Sequence, residues 1–260
     1  MNAAAVIRAG LPSPATRELQ ELQELQEGHE PREIAMAAAQ AYAPRAVRVI
    51  DVVKDYESAI GVRRVLDGIS FEVFQGDKFA VLGRNGAGKS TLVRLMGGVE
   101  KPTRGHIARE LNMSWPLGFT GAVEGEMTGM DNIRFISRLY NKNVEDVAAF
   151  VDDFAELGRY LFVPVNNYSS GMRMRLGFAL TLAVDFECLL IDEVTAVGDQ
   201  RFHRKCFDAI FVERAHCAII MVSHDINTIR TFCQKAMVLK NGRGRVFDDV
   251  EKALEIYASL

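Results

Sequence analysis

The amino-acid sequence predicts an α/β fold with a mostly parallel core sheet. Short apolar runs at 188–191 and 218–222 are bounded by polar residues, which is typical of strands buried on both faces of such a sheet. A helical pattern follows each run, at 200–213 and 226–233. Strands that alternate with helices along the chain favour this fold class.

The rest of the chain predicts further elements of both kinds. Its 260 residues are enough for one domain with a sizeable core, or for one domain plus an extension. Strands are predicted at 47–53, 69–74 and 78–82. Helices are predicted at 89–96, 127–140, 144–157 and 249–258, and one more begins near Ser169.

The first 44 residues differ in composition from the rest. They hold six Glu and three Arg, which accounts for the net charge of −3, whereas acidic and basic residues balance in 45–260. We therefore expect an extension at 1–44 and a domain at 45–260. The Leu-Gln-Glu repeat at 19–27 predicts a solvated helix or a disordered tail, with a coiled-coil partner site as the alternative. The neutral domain lacks the basic excess of a nucleic-acid binder, so no nucleic-acid partner is expected.

Cysteine spacing and hydropathy favour a cytoplasmic protein. The four cysteines form no CxxC pair and no metal-ligand spacing, so reduced thiols are expected. The best candidate for a membrane span, 176–191, is interrupted by Asp185 and Glu187, which are costly at membrane depth. We expect any role at a membrane to depend on a partner.

Residues 83–90 match the nucleotide-binding pattern G-x-x-x-x-G-K-[ST] in full. The pattern follows a predicted strand and opens a predicted helix, which is the context it requires. Its glycines let backbone N–H groups turn toward an anion, and the helix N-terminus adds a positive dipole end. Lys89 is expected to reach the β- and γ-phosphates of ATP, and the Ser90 hydroxyl to coordinate Mg²⁺. A glycine-rich turn that binds nothing is the alternative.

A second set of candidate residues follows the two apolar strands. Asp192 comes at the carboxyl end of the run at 188–191, where open α/β sheets bind ligands, and is expected to hold Mg²⁺ through water. Glu193 is expected to orient or deprotonate the attacking water. His224 follows the run at 218–222 and is expected to place a donor on the γ-phosphate. Helix capping by the acids and a structural histidine are the alternatives.

Residues 168–173 read Tyr-Ser-Ser-Gly-Met-Arg and resemble the signature sequence of ABC ATPases, Leu-Ser-Gly-Gly-Gln. Ser169 and Gly171 match that signature, whereas positions 168, 170 and 172 depart from it. In isolation the segment would be interpreted as a helix N-cap, since serine is a preferred capping residue. The resemblance implies that Ser169, Ser170, Gly171 and Met172 face the ATP of a second subunit, so that two copies form a homodimer.

Other elements of this family occur in the same order. Tyr56 resembles the aromatic residue that stacks on adenine, with an ordinary strand-end tyrosine as the alternative. Residues 196–199 resemble the D-loop, with Asp199 as the matching acid, and His224 matches the switch histidine. The family's glutamine between the first core helix and the signature is missing, and Glu124 is the nearest polar candidate.

The resemblance also implies a fold and a set of site residues. The fold is a P-loop NTPase of the ABC ATPase type, with an N-terminal antiparallel β subdomain and a helical subdomain inserted at about 112–175. The expected catalytic residues are Lys89, Glu193 and His224. The expected ATP-binding residues are Tyr56, Gly83, Arg84, Asn85, Gly86, Ala87, Gly88, Lys89, Ser90 and Thr91.

Four segments narrow the resemblance to one subfamily. They are Ser-Trp-Pro at 114–116, Tyr-Ser-Ser-Gly-Met-Arg at 168–173, Ile-Asp-Glu-Val-Thr-Ala-Val-Gly-Asp at 191–199 and Met-Val-Ser-His at 221–224. They look like the ATPase subunits of capsular polysaccharide exporters in Gram-negative bacteria. The resemblance implies an integral membrane permease as partner, a lipid-linked polysaccharide as cargo and a peripheral location at the cytoplasmic face of the inner membrane.

The sequence fits three other functions less well than capsule export. Non-transport ABC ATPases are disfavoured. Translation factors of this type carry two cassettes, whereas this sequence has one phosphate loop, and repair factors carry long coiled-coil insertions, which this sequence lacks. Export of another polymer, O-antigen or teichoic acid, is the nearer alternative, although O-antigen ATPases often add a carbohydrate-binding domain. A binding module without hydrolysis is disfavoured by the intact Asp192 and Glu193.

Overall fold

The computed structural model describes residues 44–260 except 60, 118–122, 193–199 and 224. The chain divides into two compact units at Pro44, and the described domain is the second unit, Arg45–Leu260. The predicted extension at 1–44 lies outside the described residues, apart from Pro44 itself.

An antiparallel sheet of three strands opens the domain. Its strands are β1 (Ala46–Ser58), β2 (Gly61–Phe74) and β4 (Arg104–Arg109), in the spatial order β2-β1-β4. On β1, Val47 lies opposite Val73 of β2 and opposite Arg109 of β4. The antiparallel β subdomain that the resemblance implies is confirmed.

A second sheet of six strands forms the centre of the domain. Its spatial order is β5 (Met113–Leu117), β6 (Cys188–Asp192), β7 (Ala218–Val222), β3 (Lys78–Leu82), β8 (Lys235–Lys240) and β9 (Arg243–Phe247). Neighbouring strands are parallel except β8 and β9, which are antiparallel. The predicted mostly parallel core sheet is confirmed, and the carboxyl ends of β3, β6 and β7 share one edge.

Helices connect these strands. The described residues form α1 (Lys89–Met96), α2 (Gly129–Leu139), α3 (Val144–Ala155), α4 (Ser170–Ala183), α5 (Gln200–Phe211), α6 (Ile226–Phe232) and α7 (Val250–Ala258), with short 3₁₀ helices at Gly158–Phe162 and Val165–Asn167. Within the described ranges, no helix has the length and hydropathy needed to cross a membrane.

Helix ends differ from the predicted ones by one or two residues where a cap decides the boundary. Thr128 caps α2, because its Oγ1 accepts the N–H of Asp131 at 3.1 Å. Glu156 ends α3, because its φ of 54° lies in the left-handed region and cannot continue a helix.

The strands β4, β5, β8 and β9 are not predicted by the sequence patterns. In β5, Pro116 has no N–H to donate to a ladder, so the run does not look like a strand. The structure places β5 at the edge of the central sheet, where a proline is tolerated. Buried Ser114 joins it to β6, because its Oγ accepts the N–H of Leu190 at 3.0 Å. The segment 112–175 thus begins with a strand, and its helices begin at Gly129.

Apolar side chains pack on both faces of the central sheet. Along β3, Phe79 and Val81 belong to one cluster and Ala80 and Leu82 to the other, as the alternation of a strand requires. The first cluster includes α1 and the antiparallel sheet, and Phe71 stacks on Phe79 with ring centroids 5.0 Å apart. The second cluster includes α2, α3, α4 and α5. α1 therefore packs on one face of the central sheet, in the same cluster as the antiparallel sheet.

Candidate nucleotide-binding site

The loop between β3 and α1 contains the predicted phosphate-binding residues 83–88. Gly86 and Gly88 have φ angles of 80° and 111°, in the left-handed region that favours glycine. A Cβ at Gly83 would lie 2.5 Å from the carbonyl oxygen of Leu239 on β8, so only glycine fits there. A loop with these backbone angles can turn consecutive N–H groups toward an anion.

The N-terminus of α1 has no side-chain cap among the described residues. Its N-cap is Gly88, and Lys89 and Ser90 begin the first turn. Lys89 is buried, and its ammonium donates to the carbonyl oxygen of Gly83 at 2.7 Å. Lys89 thus lies back along the loop, whereas Ser90 is exposed. An uncapped helix start with a lysine beside it suits a phosphate group.

The remaining predicted loop residues surround this helix start. Arg84 and Asn85 are exposed, whereas Ala87 and Thr91 are buried. Arg84 donates to the backbone oxygen of Leu260 at 3.1 Å, which joins the loop to the chain just after α7. The predicted phosphate-binding residues therefore form one continuous loop and helix turn.

Asp192 is the last residue of β6 and is partly buried. It lies opposite Val222 on β7, and β7 pairs with β3, which leads into the phosphate-binding loop. Because these strands are parallel, Asp192 and the loop lie at the same edge of the sheet. The Ser90 hydroxyl and the Asp192 carboxylate are hard oxygen donors, which Mg²⁺ prefers. These residues fit the metal ion that the sequence predicts.

Three predicted site residues, Glu193, Asp199 and His224, lie outside the described residues. β6 ends one residue before Glu193, and α5 begins at Gln200, directly after Asp199. β7 ends at Val222, two residues before His224. Glu193 and His224 thus follow strands whose carboxyl ends share the sheet edge of Asp192.

Tyr56 is partly buried near the end of β1. Its hydroxyl donates to Glu100 Oε2 at 2.6 Å, and Nη2 of Arg94 on α1 lies 3.4 Å from the same hydroxyl. These contacts join the predicted adenine-stacking residue to the helix that follows the phosphate loop. No sequence motif includes Arg94 or Glu100, and only the fold brings them to Tyr56.

The predicted signature residues lie together at the N-terminus of α4. Ser169 is the N-cap, and its Oγ accepts the N–H of Met172 at 3.2 Å. Ser169 and Ser170 are exposed, and Gly171 is partly exposed. The Met172 side chain packs against the core. The helix-cap interpretation and the signature interpretation therefore apply to the same residues.

Tyr168, which stands where the family has leucine, is buried in the core. Its hydroxyl donates to the carbonyl oxygen of Tyr160. A Cβ at Gly129 would lie 2.6 Å from the same hydroxyl. This departure from the family pattern is thus accommodated by packing between the start of α4 and the start of α2.

Glu124, the candidate for the missing glutamine, is exposed, and its backbone N–H donates to Asn132 Oδ1 at 2.8 Å. The preceding segment, 118–122, lies outside the described residues. A functional part for the Glu124 carboxylate therefore stays a prediction.

Comparison with known proteins places these features in a family. The family model described as ABC transporter matches residues 66–196. The chain is 53% identical to the capsule polysaccharide export ATP-binding protein CtrD of Neisseria meningitidis, over 82% of this chain and 99% of that protein. It is 37% identical to the teichoic acids export ATP-binding protein TagH of Staphylococcus haemolyticus, over 74% of each.

A solved structure shares the fold. The dimeric structure of a bacterial ABC transporter cassette matches with a TM-score of 0.63 and 21% identity, over 76% of this chain and 97% of that one. At this identity the likeness establishes the fold alone, and it confirms the predicted ABC ATPase architecture. With the family model and the two relatives, it follows that the chain belongs to the ABC transporter family.

Proposed function

We propose that this chain is the ATP-binding and ATP-hydrolysing subunit of an exporter of capsular polysaccharide. The observation that carries the proposal is the 53% identity to a capsule export protein along 99% of that protein's length. The glycine loop and the lysine at the start of α1 support ATP as the energy source. Teichoic acid export has weaker support, because that relative shares 37% identity.

The residues at the sheet edge take separate parts in hydrolysis. The loop N–H groups and the ammonium of Lys89 hold the phosphates of ATP. Ser90 and Asp192 hold Mg²⁺, which when bound neutralises part of the phosphate charge. Glu193 orients the attacking water and accepts its proton, and His224 donates a hydrogen bond to the γ-phosphate.

A second copy of the chain completes each site in this proposal. Ser169 and Ser170 present an exposed helix start, and a Cβ at Gly171 would meet no atom nearer than Ser169 Oγ at 3.9 Å. This open surface can approach a phosphate that α1 of the other copy already holds from its own side. Asp199 is assigned to the contact between the copies. Closure over ATP and reopening after hydrolysis give the dimer two states.

An integral membrane permease is the proposed partner that couples this cycle to export. The proposed contact surface is 114–140, where Met127, Phe135 and Leu139 are 37%, 55% and 61% exposed. Phe162, which is 67% exposed, follows on the 3₁₀ helix that contacts α2. Exposed apolar side chains of this kind suit contact with a helix of another protein. The polysaccharide would pass through the permease, with this chain at the cytoplasmic face of the inner membrane.

A null strain tests the cargo. Cells that lack this chain, or carry Glu193→Gln, are expected to lose surface capsule and to accumulate lipid-linked polysaccharide inside, because the amide accepts no proton from water. Immunogold labelling and sugar analysis of cell fractions measure the two pools. The matched control is Glu72→Gln, at a half-exposed acid that pairs with Arg48 on the antiparallel sheet, and it should restore capsule.

Two outcomes would redirect the proposal. Normal surface capsule in a null strain without a related ATPase would contradict capsule as the cargo. Loss of teichoic acid or O-antigen in place of capsule would favour the corresponding exporter. The purified chain's ATPase activity would stand in either case.

A further inference from the structure

Four side chains form a cluster between the antiparallel sheet and α1. Glu100 lies at its centre, in the chain just after α1. Its Oε2 accepts the hydroxyl of Tyr56 at 2.6 Å and lies 3.2 Å from the ammonium of Lys54. Its Oε1 accepts a hydrogen bond from the Nε–H of Arg94, with 2.7 Å between the two heavy atoms. Both carboxylate oxygens are therefore engaged, and each ties Glu100 to a different part of the domain.

The Glu100 carboxylate stays ionised at any physiological pH. Burial raises the pKa of Glu100, but the hydrogen bonds from Tyr56, Arg94 and Lys54 outweigh burial and bring that pKa down to about 2. Hydrogen bonds to an ionised acceptor are shorter and stronger than those between neutral groups. The Tyr56 hydroxyl is accordingly held in one position.

The same cluster limits how Tyr56 can meet a ligand. The ammonium of Lys54 lies 4.9 Å from the centroid of the Tyr56 ring, over one of its faces. The hydroxyl is engaged by Glu100. A base that stacks on Tyr56 would therefore lie on the ring face opposite Lys54, and the Tyr56 O–H proton, already donated to Glu100, is not free to bond to the edge of that base.

Arg94 connects this cluster to the phosphate end of α1. Its Nη2 lies 3.4 Å from the Tyr56 hydroxyl and 3.4 Å from Oγ1 of Thr91, in the first turn of α1. From the other side, the ammonium of Lys54 donates to the carbonyl oxygen of Lys101 at 2.9 Å. The Tyr56 ring and the phosphate-binding helix thus belong to one connected set of side chains.

We propose that Glu100 is a positioning residue that fixes the Tyr56 ring relative to the phosphate loop, so that both ends of one purine nucleotide are held together. The proposal rests on the proposed function, in which Tyr56 stacks on the base. Because stacking on a ring face is insensitive to the groups on the edge of the base, this platform binds adenine and guanine about equally, and Tyr56 supplies affinity without base specificity.

Calorimetric affinities of the purified full chain for ADP, GDP and pyrophosphate test the proposal. Glu100→Ala should weaken ADP and GDP binding by about five-fold each, the loss of roughly one hydrogen bond, and leave pyrophosphate binding unchanged. Tyr56→Phe removes the same hydrogen bond and should have the same effect, and the double variant should lose no more than either single one. The matched control, Glu72→Ala, removes an ion pair elsewhere on the same sheet and should leave all three affinities unchanged.

The possible results separate the inference from the proposed function. An equal loss of pyrophosphate affinity in Glu100→Ala would overturn the inference, because Glu100 would then act on α1 through Arg94. Unchanged ADP affinity in that variant, or wild-type ADP affinity in Tyr56→Ala, would overturn it and leave the ATPase proposal standing. A wild-type chain that binds neither ADP nor pyrophosphate would contradict the proposed function itself.

Discussion

Two helices of this domain begin where phosphate groups are expected, and they begin differently. α1 follows Gly88, which has a φ of 111° and provides no side-chain cap. α4 follows Ser169, whose hydroxyl oxygen accepts the N–H of Met172. At the start of α1 no side chain accepts an N–H of the first turn, whereas at the start of α4 the N-cap serine does.

The difference indicates how a site made from two copies can be divided. A capping side chain uses one N–H of the first turn, so the uncapped α1 keeps one more N–H for a ligand than α4 does. In α4 the N–H of Met172 is bonded to Ser169 before any ligand arrives, which steadies this helix start as a surface to present to another copy. We infer that α1 captures the nucleotide and that α4 senses a nucleotide already captured.

The largest effect is expected when the cation at the start of α1 is removed. Lys89→Ala should abolish ATP hydrolysis and weaken ATP binding by about 2 kcal/mol or more, since a buried charge beside the phosphates is lost. Steady-state ATPase assays and calorimetry measure both. Lys142→Ala, at a lysine paired with Asp185 far along the chain, is the matched control and should behave as wild type. Normal turnover by Lys89→Ala would refute the assignment of this loop.

The next largest effect is expected from a bulky substitution at the start of α4. Ser169→Arg should leave ATP binding by one subunit nearly normal but block hydrolysis, because a bulky cation replaces a small group in the facing half of the site. Mixing it with Lys89→Ala should restore some hydrolysis, since one site of the mixed dimer then has both residues intact. ATPase activity against mixing ratio measures this. Full activity of Ser169→Arg alone would show that α4 does not face a nucleotide.

The elements near α1 were predictable because one motif links them. The pattern at 83–90 requires a strand before it and a helix after it, and both β3 and α1 have the predicted bounds. β5 was not predictable, because a proline such as Pro116 is unusual in a strand. Only the pairing with β6 in the fold shows that this run is one. Local pattern therefore succeeds where a motif constrains the chain, and fails where long-range pairing decides.

The residues of the candidate site differ in the same way: some are predictable from the sequence, and others only from the fold. The positions of Lys89 and Ser90 within the pattern at 83–90 indicate their chemistry, so the sequence alone identifies them as candidate site residues. Arg94 and Glu100 meet Tyr56 across 38 and 44 positions of sequence, and no periodicity reports a contact at that range. Residues that position a ligand-binding side chain are thus the ones that require the fold.

The two glycines beside these helix starts give a smaller effect. A Cβ at Gly88 would lie 2.8 Å from Leu66 Cδ2 at a positive φ, so Gly88→Ala should lower the free energy of unfolding by about 1–3 kcal/mol. Gly171→Ala meets no close atom inside a helix, so it should keep or raise stability, by up to about 1 kcal/mol. Urea unfolding measures both. Equal destabilisation by the two substitutions would remove the contrast between the helix starts.

The smallest expected effect isolates the cap itself. Ser169→Ala removes the oxygen that accepts the Met172 N–H, and this should lower the free energy of unfolding by about 1 kcal/mol. Ser170→Ala is the control, because this exposed residue is the first of α4 and alanine is the better helix former there. Both variants keep the small size of the surface, so ATP-dependent dimerisation, measured by light scattering, should survive in both. If Ser169→Ala loses dimerisation and no stability, the hydroxyl acts on the facing nucleotide instead of on its own helix, and α4 would then be as open to a ligand as α1.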